Sequence, residues 1–124
     1  MRCRYTRLFA DEGVESHFEE LEMDLAVVNF ASSAPPLLLS DFFPAKQSAF
    51  FGAPAGWMSD WHVTLSRNLF VVISGAWEIQ ASDGTVRSFG PRHILLVEDL
   101  TGQGHRSWVL GEEESLALLV QLED

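Results

Sequence analysis

The chain has 124 residues, 47% of them hydrophobic, which is enough for one domain with a real core and too few for two of ordinary size. Eighteen acidic residues against eight basic ones give a formal net charge of −10, and so negative a surface repels phosphate backbones and anionic headgroups, so no nucleic acid and no membrane surface is expected as a partner. No apolar run reaches the length of a membrane span, no secretory apolar stretch follows the first arginines, and the lone Cys3 cannot form an internal disulfide, so a cytoplasmic location is expected.

Residues 2–9 alternate loosely between charged and apolar positions, as a half-exposed first strand does. Asp11-Glu12-Gly13 breaks the pattern. Residues 18–25 place Leu21, Met23 and Leu25 among acids at strand period, although Glu and Leu also favour helix; strand is the reading taken. His17, at the start of this acidic segment, reads as a solvated surface residue. The prolines of residues 31–45 remove ladder donors and predict an irregular connection or edge segment whose aromatics, Phe42 and Phe43, need cover. A short strand is expected at Gln47–Phe51, and Gly52 to Gly56 turns the chain.

From residue 60 onward the runs are short, regularly spaced and punctuated by turns, which predicts an all-β sandwich or barrel. Strands are expected near 60–65, 68–74, 76–81, 85–89, 93–98, 105–110 and 115–122. Asp83-Gly84 is the strongest hairpin signal, because glycine accepts the positive φ such turns require. Glu112-Glu113-Glu114 reads as a solvated loop.

Strand periodicity over 60–65 would put Asp60, His62 and Thr64 on one face, where a carboxylate and an imidazole can reach one metal ion. If the barrel brings His105 to the same place, Asp60, His62 and His105 make a two-histidine, one-carboxylate set. Such ligands suit Fe(II), Mn(II), Zn(II) or Ni(II). Trp61 alternates with them and is expected in the core or an interface. Trp57, with Phe42, Phe43, Phe50 and Phe51, is a candidate for the cavity mouth; Phe70, Val72 and Ser107 are expected on the pocket wall. His93, after Arg92 at a strand start, reads as a rim residue.

The segments Asp60-Trp61-His62, Phe70 to Gly75, Ser82-Asp83-Gly84, Phe89-Gly90-Pro91 and Leu95 to Asp99 followed by Gly102-Gln103-Gly104-His105 together resemble a small single-domain cupin, the double-stranded β-helix or jelly-roll-like barrel. They resemble in particular uncharacterised bacterial cupins whose second motif ends in Gly-x-Gly-His. The resemblance implies a barrel core over 57–122, preceded by N-terminal strands and an irregular connection over 1–56. It implies a metal site at positions that depart from the usual pattern: His62 and His105 match by type, Asp60 replaces a histidine, and Asn68 stands as a weak fourth ligand where glutamate is usual. Arg92-His93 replaces the usual Gly-Asp.

The functions expected are therefore a small-molecule-binding barrel, in one form a divalent-metal enzyme acting on a small organic acid or sugar-derived compound. In that form Glu98 is the acid–base candidate, recruited if its strand end turns inward. The alternative is a non-catalytic binding or sensing barrel without metal, in which the histidines hydrogen-bond a ligand or each other. Small cupins pair through N-terminal strands and sheet faces, and the aromatics of the N-terminal half imply a homodimer here.

Overall fold

The computed structural model describes residues 1–124 and consists of strands and turns, with no helix. The strands are β1 (Arg2–Ala10), β2 (Ser16–Asp24), β3 (Ala26–Val28), β4 (Leu37–Leu39), β5 (Ala45–Ala53), β6 (Asn68–Ser74), β7 (Trp77–Ala81), β8 (Val86–Phe89), β9 (Ile94–Glu98), β10 (His105–Val109) and β11 (Ser115–Leu122). Six form one sheet in the order β2-β1-β9-β6-β11-β5, and three form a second in the order β10-β7-β8. β3 and β4 pair only with each other. All neighbours are antiparallel except β1 and β9. No helix is long and apolar enough to cross a membrane.

One core joins the two sheets. Leu8, Val72, Leu95 and Val97 enter it from the larger sheet, and Trp77, Ile79, Phe89 and Val109 from the smaller. Period-2 alternation explains the choice of residues: in β7, Trp77, Ile79 and Ala81 are buried while Glu78 and Gln80 are only half so. The expected hairpin forms, with β7 and β8 antiparallel and Gly84 at φ +95° between them. The acidic segment expected as strand over 18–25 is strand as far as Asp24, because Leu8 and Phe18 stand opposite one another in the β1–β2 ladder and face a core that a helix there would leave open.

Two expectations are corrected here. Residues 60–65 do not form a strand; the segment touches β10 only through isolated bridges at Met58–Trp108 and His62–His105. The pairing shifts by one residue between those bridges, so strict alternation of Asp60, His62 and Thr64 fails there. His17 is not simply solvated. Its two ring nitrogens lie 2.7 Å from Asp11 and 2.9 Å from Asp83, tying the β1–β2 turn to the β7–β8 turn. Hydrogen bonding to Asp11, then to Asp83, raises its pKa above the usual histidine range.

Candidate functional site in the barrel cavity

A cavity of about 310 Å³ opens between the sheets. At one end Trp77 is the hub of an aromatic cluster, with ring centroids 5.8 Å from Phe51, 5.6 Å from Trp57 and 5.5 Å from Phe70. The rest of the lining mixes the apolar Val63, Leu65, Ile79, Val97 and Leu119 with neutral polar groups: His62, Thr64, Ser66, Asn68, His105, Ser107 and Gln121. No lysine, arginine, aspartate or glutamate lines it.

The histidines are brought together by backbone. His62 N–H donates to the His105 carbonyl and His105 N–H donates to the His62 carbonyl, each at 2.9 Å. This reciprocal pair sets the rings side by side, with centroids 4.6 Å apart. Glycine makes the approach feasible. Gly104 has φ +78°, and a Cβ there would stand 2.0 Å from the His62 carbonyl oxygen. Gly102 leans in the same way on Val14, and the buried Ser16 hydroxyl donates to the Gly104 carbonyl at 2.7 Å. The Gly-Gln-Gly-His turn is thus wedged between the β1–β2 turn and the His62 segment.

Each imidazole is anchored through Nδ1. His62 Nδ1 lies 2.9 Å from the Asp60 carbonyl, which can only accept, so this nitrogen carries the proton. His105 Nδ1 lies 2.5 Å from Asp99 Oδ2. Asp99 has 0% exposure, its Oδ1 has no partner, and its backbone carbonyl accepts from Thr64 N–H at 3.2 Å. A carboxylate in this place fixes the tautomer and orientation of the ring. In the neutral ring both Nε2 atoms are then bare acceptors. Two adjacent acceptors suit a ligand O–H or N–H, or a Lewis acid.

The structure distributes the remaining sequence candidates differently. Trp57, Phe70 and Ser107 line the cavity, whereas Val72 lies in the packed core and not on the cavity wall. Asn68 lines the cavity and donates to Thr64 Oγ1 at 3.0 Å. Asp60 is exposed, and its carboxylate accepts from Trp61 N–H at 2.9 Å, so it does not join the histidines. Phe51 alone of the four phenylalanines reaches the cavity; Phe42, Phe43 and Phe50 lie on the surface. Trp61 is half-buried beneath Arg106, whose guanidinium sits 5.0 Å from its ring centre. His93 is exposed and takes a hydrogen bond from Gly90 N–H.

Glu98 does not turn inward. It sits between Arg7, with which it forms a close ion pair, and Arg67, whose Nε is 2.9 Å away. Burial alone would push its pKa up, but the hydrogen bonds and charges of Arg67 and Arg7 outweigh it and hold the group below the usual glutamate range. A depressed pKa stabilises the fold above the unfolded value and loses that contribution as pH falls through the folded one. Glu98→Gln is therefore expected to cost about 2 kcal/mol at neutral pH. In urea titrations across pH, the gap to the parent should close below the glutamate value of 4.5. A gap unchanged into acid would show that the ion pairs are not its source.

Asp99 is the residue that sequence reading passed over as a site residue. Its signal was present in its place at the end of β9, six positions before the histidine of a glycine-rich turn.

The sequence matches no protein-family profile, and no curated protein matches it. The structure is similar to the solved cupin domain of Cnp3 from Schizosaccharomyces pombe, with a TM-score of 0.51 and 13% identity, over 100% of this chain and 83% of that one. The fold is accordingly that of a cupin-type β-barrel.

Proposed function

We propose that this cupin-fold barrel binds a small molecule with an aromatic-sized apolar body and a hydroxyl head, the head received at the His62–His105 pair. The observation that carries the reading is the buried Asp99 behind His105, which leaves its Nε2 an acceptor on the wall of a largely apolar cavity. A lining without lysine or arginine suits a neutral hydroxyl better than a carboxylate, and the aromatic end suits a ring better than a sugar. His105 so oriented is also the group that would take a proton from the bound hydroxyl, as a general base. The lone Cys3, which needs no oxidising compartment, supports a cytoplasmic setting.

A divalent metal is the second reading, favoured by the same two bare imidazole nitrogens. His62 and His105 would hold it, with the Asn68 amide oxygen on the same wall, and Fe(II), Mn(II), Zn(II) or Ni(II) would polarise a ligand oxygen. The donor set falls short of the three protein ligands usual at catalytic zinc. No group of three His, Cys, Asp or Glu side chains is placed to share an ion.

Phenol and toluene separate the possibilities, since they match in size and differ in the donor. Titration followed by the fluorescence of Trp57 and Trp77 is expected to show phenol binding about tenfold more tightly than toluene. His105→Ala should abolish that preference. Equal binding of both probes, or none, would sink the hydroxyl reading. Elemental analysis after exposure to each of the four metals covers the second reading: stoichiometric metal lost in both His62→Ala and His105→Ala would select it.

A further inference from the structure

Outside the cavity, two turns meet at a single imidazole. His17, the second residue of β2, has Nε2 2.7 Å from Asp11 Oδ2 and Nδ1 2.9 Å from Asp83 Oδ2. Each aspartate uses its other oxygen on its own turn. Asp11 Oδ1 accepts from Gly13 N–H at 2.8 Å and from Glu15 N–H at 3.3 Å, and Asp83 Oδ1 accepts from Thr85 N–H at 2.9 Å. A carboxylate can only accept, so both contacts of the ring are hydrogen bonds only when each of its nitrogens carries a proton. A neutral imidazole has one N–H, and its bare nitrogen would face a carboxylate oxygen across the same short distance. The ring is half-buried, so water can deliver and remove the proton. The other groups nearby are apolar or already engaged: the Phe9 ring, 5.7 Å away on β1; Arg7, which lies over Phe9 and pairs with Glu19 and Glu98; and Glu15, which accepts from Ser82 Oγ at 2.6 Å.

We propose that His17 is a proton switch on the cavity: its cationic ring clamps the β1–β2 and β7–β8 turns together, and the clamped turns hold the Gly102–Gly104 turn that sets His105. The path is short and consists of hydrogen bonds. Ser16, beside His17, and Ser82, beside Asp83, bond reciprocally: Ser16 N–H donates to Ser82 Oγ at 2.7 Å, and Ser82 N–H donates to Ser16 Oγ at 2.8 Å. The same Ser16 hydroxyl donates to the Gly104 carbonyl, and Gln103 N–H donates to the Val14 carbonyl at 3.2 Å. His105 is the next residue. Loss of the His17 proton makes one of the two carboxylate contacts repulsive, which releases one turn, loosens the Ser16–Ser82 pair and weakens the hold on Gly104. The sign follows from the partners. Asp11 first and Asp83 second favour the charged ring and raise its pKa. The clamp's contribution to stability is therefore complete below the unfolded value of 6.5 and is lost as pH rises through the folded one. Its effect on a ligand rests on the phenol-type reading above: the released turn should hold His105 less firmly and bind the hydroxyl more weakly.

Nitrogen NMR of the parent is expected to show the His17 ring titrating with a midpoint above 6.5 and both nitrogens protonated below it. Across that midpoint the Ser16, Ser82 and Gln103 amides should lose protection from hydrogen exchange, after correction for the intrinsic rate. The His105 ring resonances should shift with the same midpoint. Asp83→Asn, which leaves the ring only one carboxylate, should move the midpoint down. His17→Gln should remove these responses and behave at every pH as the parent does above the midpoint. The ratio of parent to His17→Gln affinity for phenol should fall about fivefold between about pH 7 and about pH 9, ionisation of phenol and of the cavity histidines being common to both proteins. A His17 that titrates while the amides and the His105 ring stay unmoved overturns the proposal and leaves a surface ion pair. So do responses that persist in His17→Gln, or a constant affinity ratio in a parent that binds phenol. Failure of phenol to bind at any pH would sink the ligand reading alone, and the switch would then stand or fall on the amides and the His105 ring.

Discussion

A Gly104→Ala variant is expected to lose about 3–4 kcal/mol of stability, among the larger losses single substitutions cause. Two costs combine. A residue with a side chain at φ +78° pays about 1–2 kcal/mol for the left-handed backbone. Its Cβ would also stand 2.0 Å from the His62 carbonyl oxygen and 2.7 Å from Val63 N, both backbone atoms with no rotamer to move. Relief requires the His62 segment to leave β10, breaking the two 2.9 Å hydrogen bonds that set the imidazoles together. Gly84→Ala is the control: φ there is +95°, yet nothing lies within 4 Å of the new Cβ, so only the backbone cost applies. Urea denaturation of the two variants separates the costs, and phenol binding should survive in Gly84→Ala and be lost in Gly104→Ala. Equal destabilisation in both would mean that close approach at Gly104 is not what holds the pair.

The contrast between these glycines shows what is legible in a chain of this kind. Local chemistry is legible where one residue type answers one backbone need: Asp83-Gly84 announces a turn, and it is one. Alternation reads directly in β7, where burial falls on every second residue. In β11 the apolar set Leu116, Leu118, Val120 and Leu122 suggests one inward face, yet Leu116 is exposed and the buried Ser115 and Ala117 share the other face. The segment 60–65 misleads because it carries the same alternation without the ladder. A one-residue slip between two isolated bridges reverses the faces, and no residue type there marks the slip. Arg92 is the opposite case, a left-handed residue at φ 75° in a place where glycine would be easier. The candidate site was legible in its histidines and not in its carboxylates. Asp60 and Glu98 stand near the histidines in sequence or strand order, but Trp61 N–H holds the first and Arg7 with Arg67 the second. Only the return of the chain through Gly102 and Gly104 decides that Asp99 is the carboxylate behind His105.

That partnership yields the second large effect. Asp99→Ala is expected to cost about 2–3 kcal/mol, since it strands the His105 Nδ1–H in a buried position. It should also lower phenol affinity at least about tenfold, because a ring freed from the carboxylate can carry its proton on Nε2 and present a donor where the ligand needs an acceptor. Asp99→Asn distinguishes this from simple packing. The amide fills the same space, and its oxygen can still accept from Nδ1–H, so stability should largely return. Binding should return in part, the charge that strengthened the bond being gone. Nitrogen NMR of the His105 ring gives a readout that packing would not move: at a pH where the ring is neutral, the proton should sit on Nδ1 in the parent and in Asp99→Asn, and spread to Nε2 in Asp99→Ala. A destabilised Asp99→Ala that binds phenol as the parent does, with the proton still on Nδ1, would reduce Asp99 to a buried strut and leave His105 to be oriented by its backbone pairing with His62 alone.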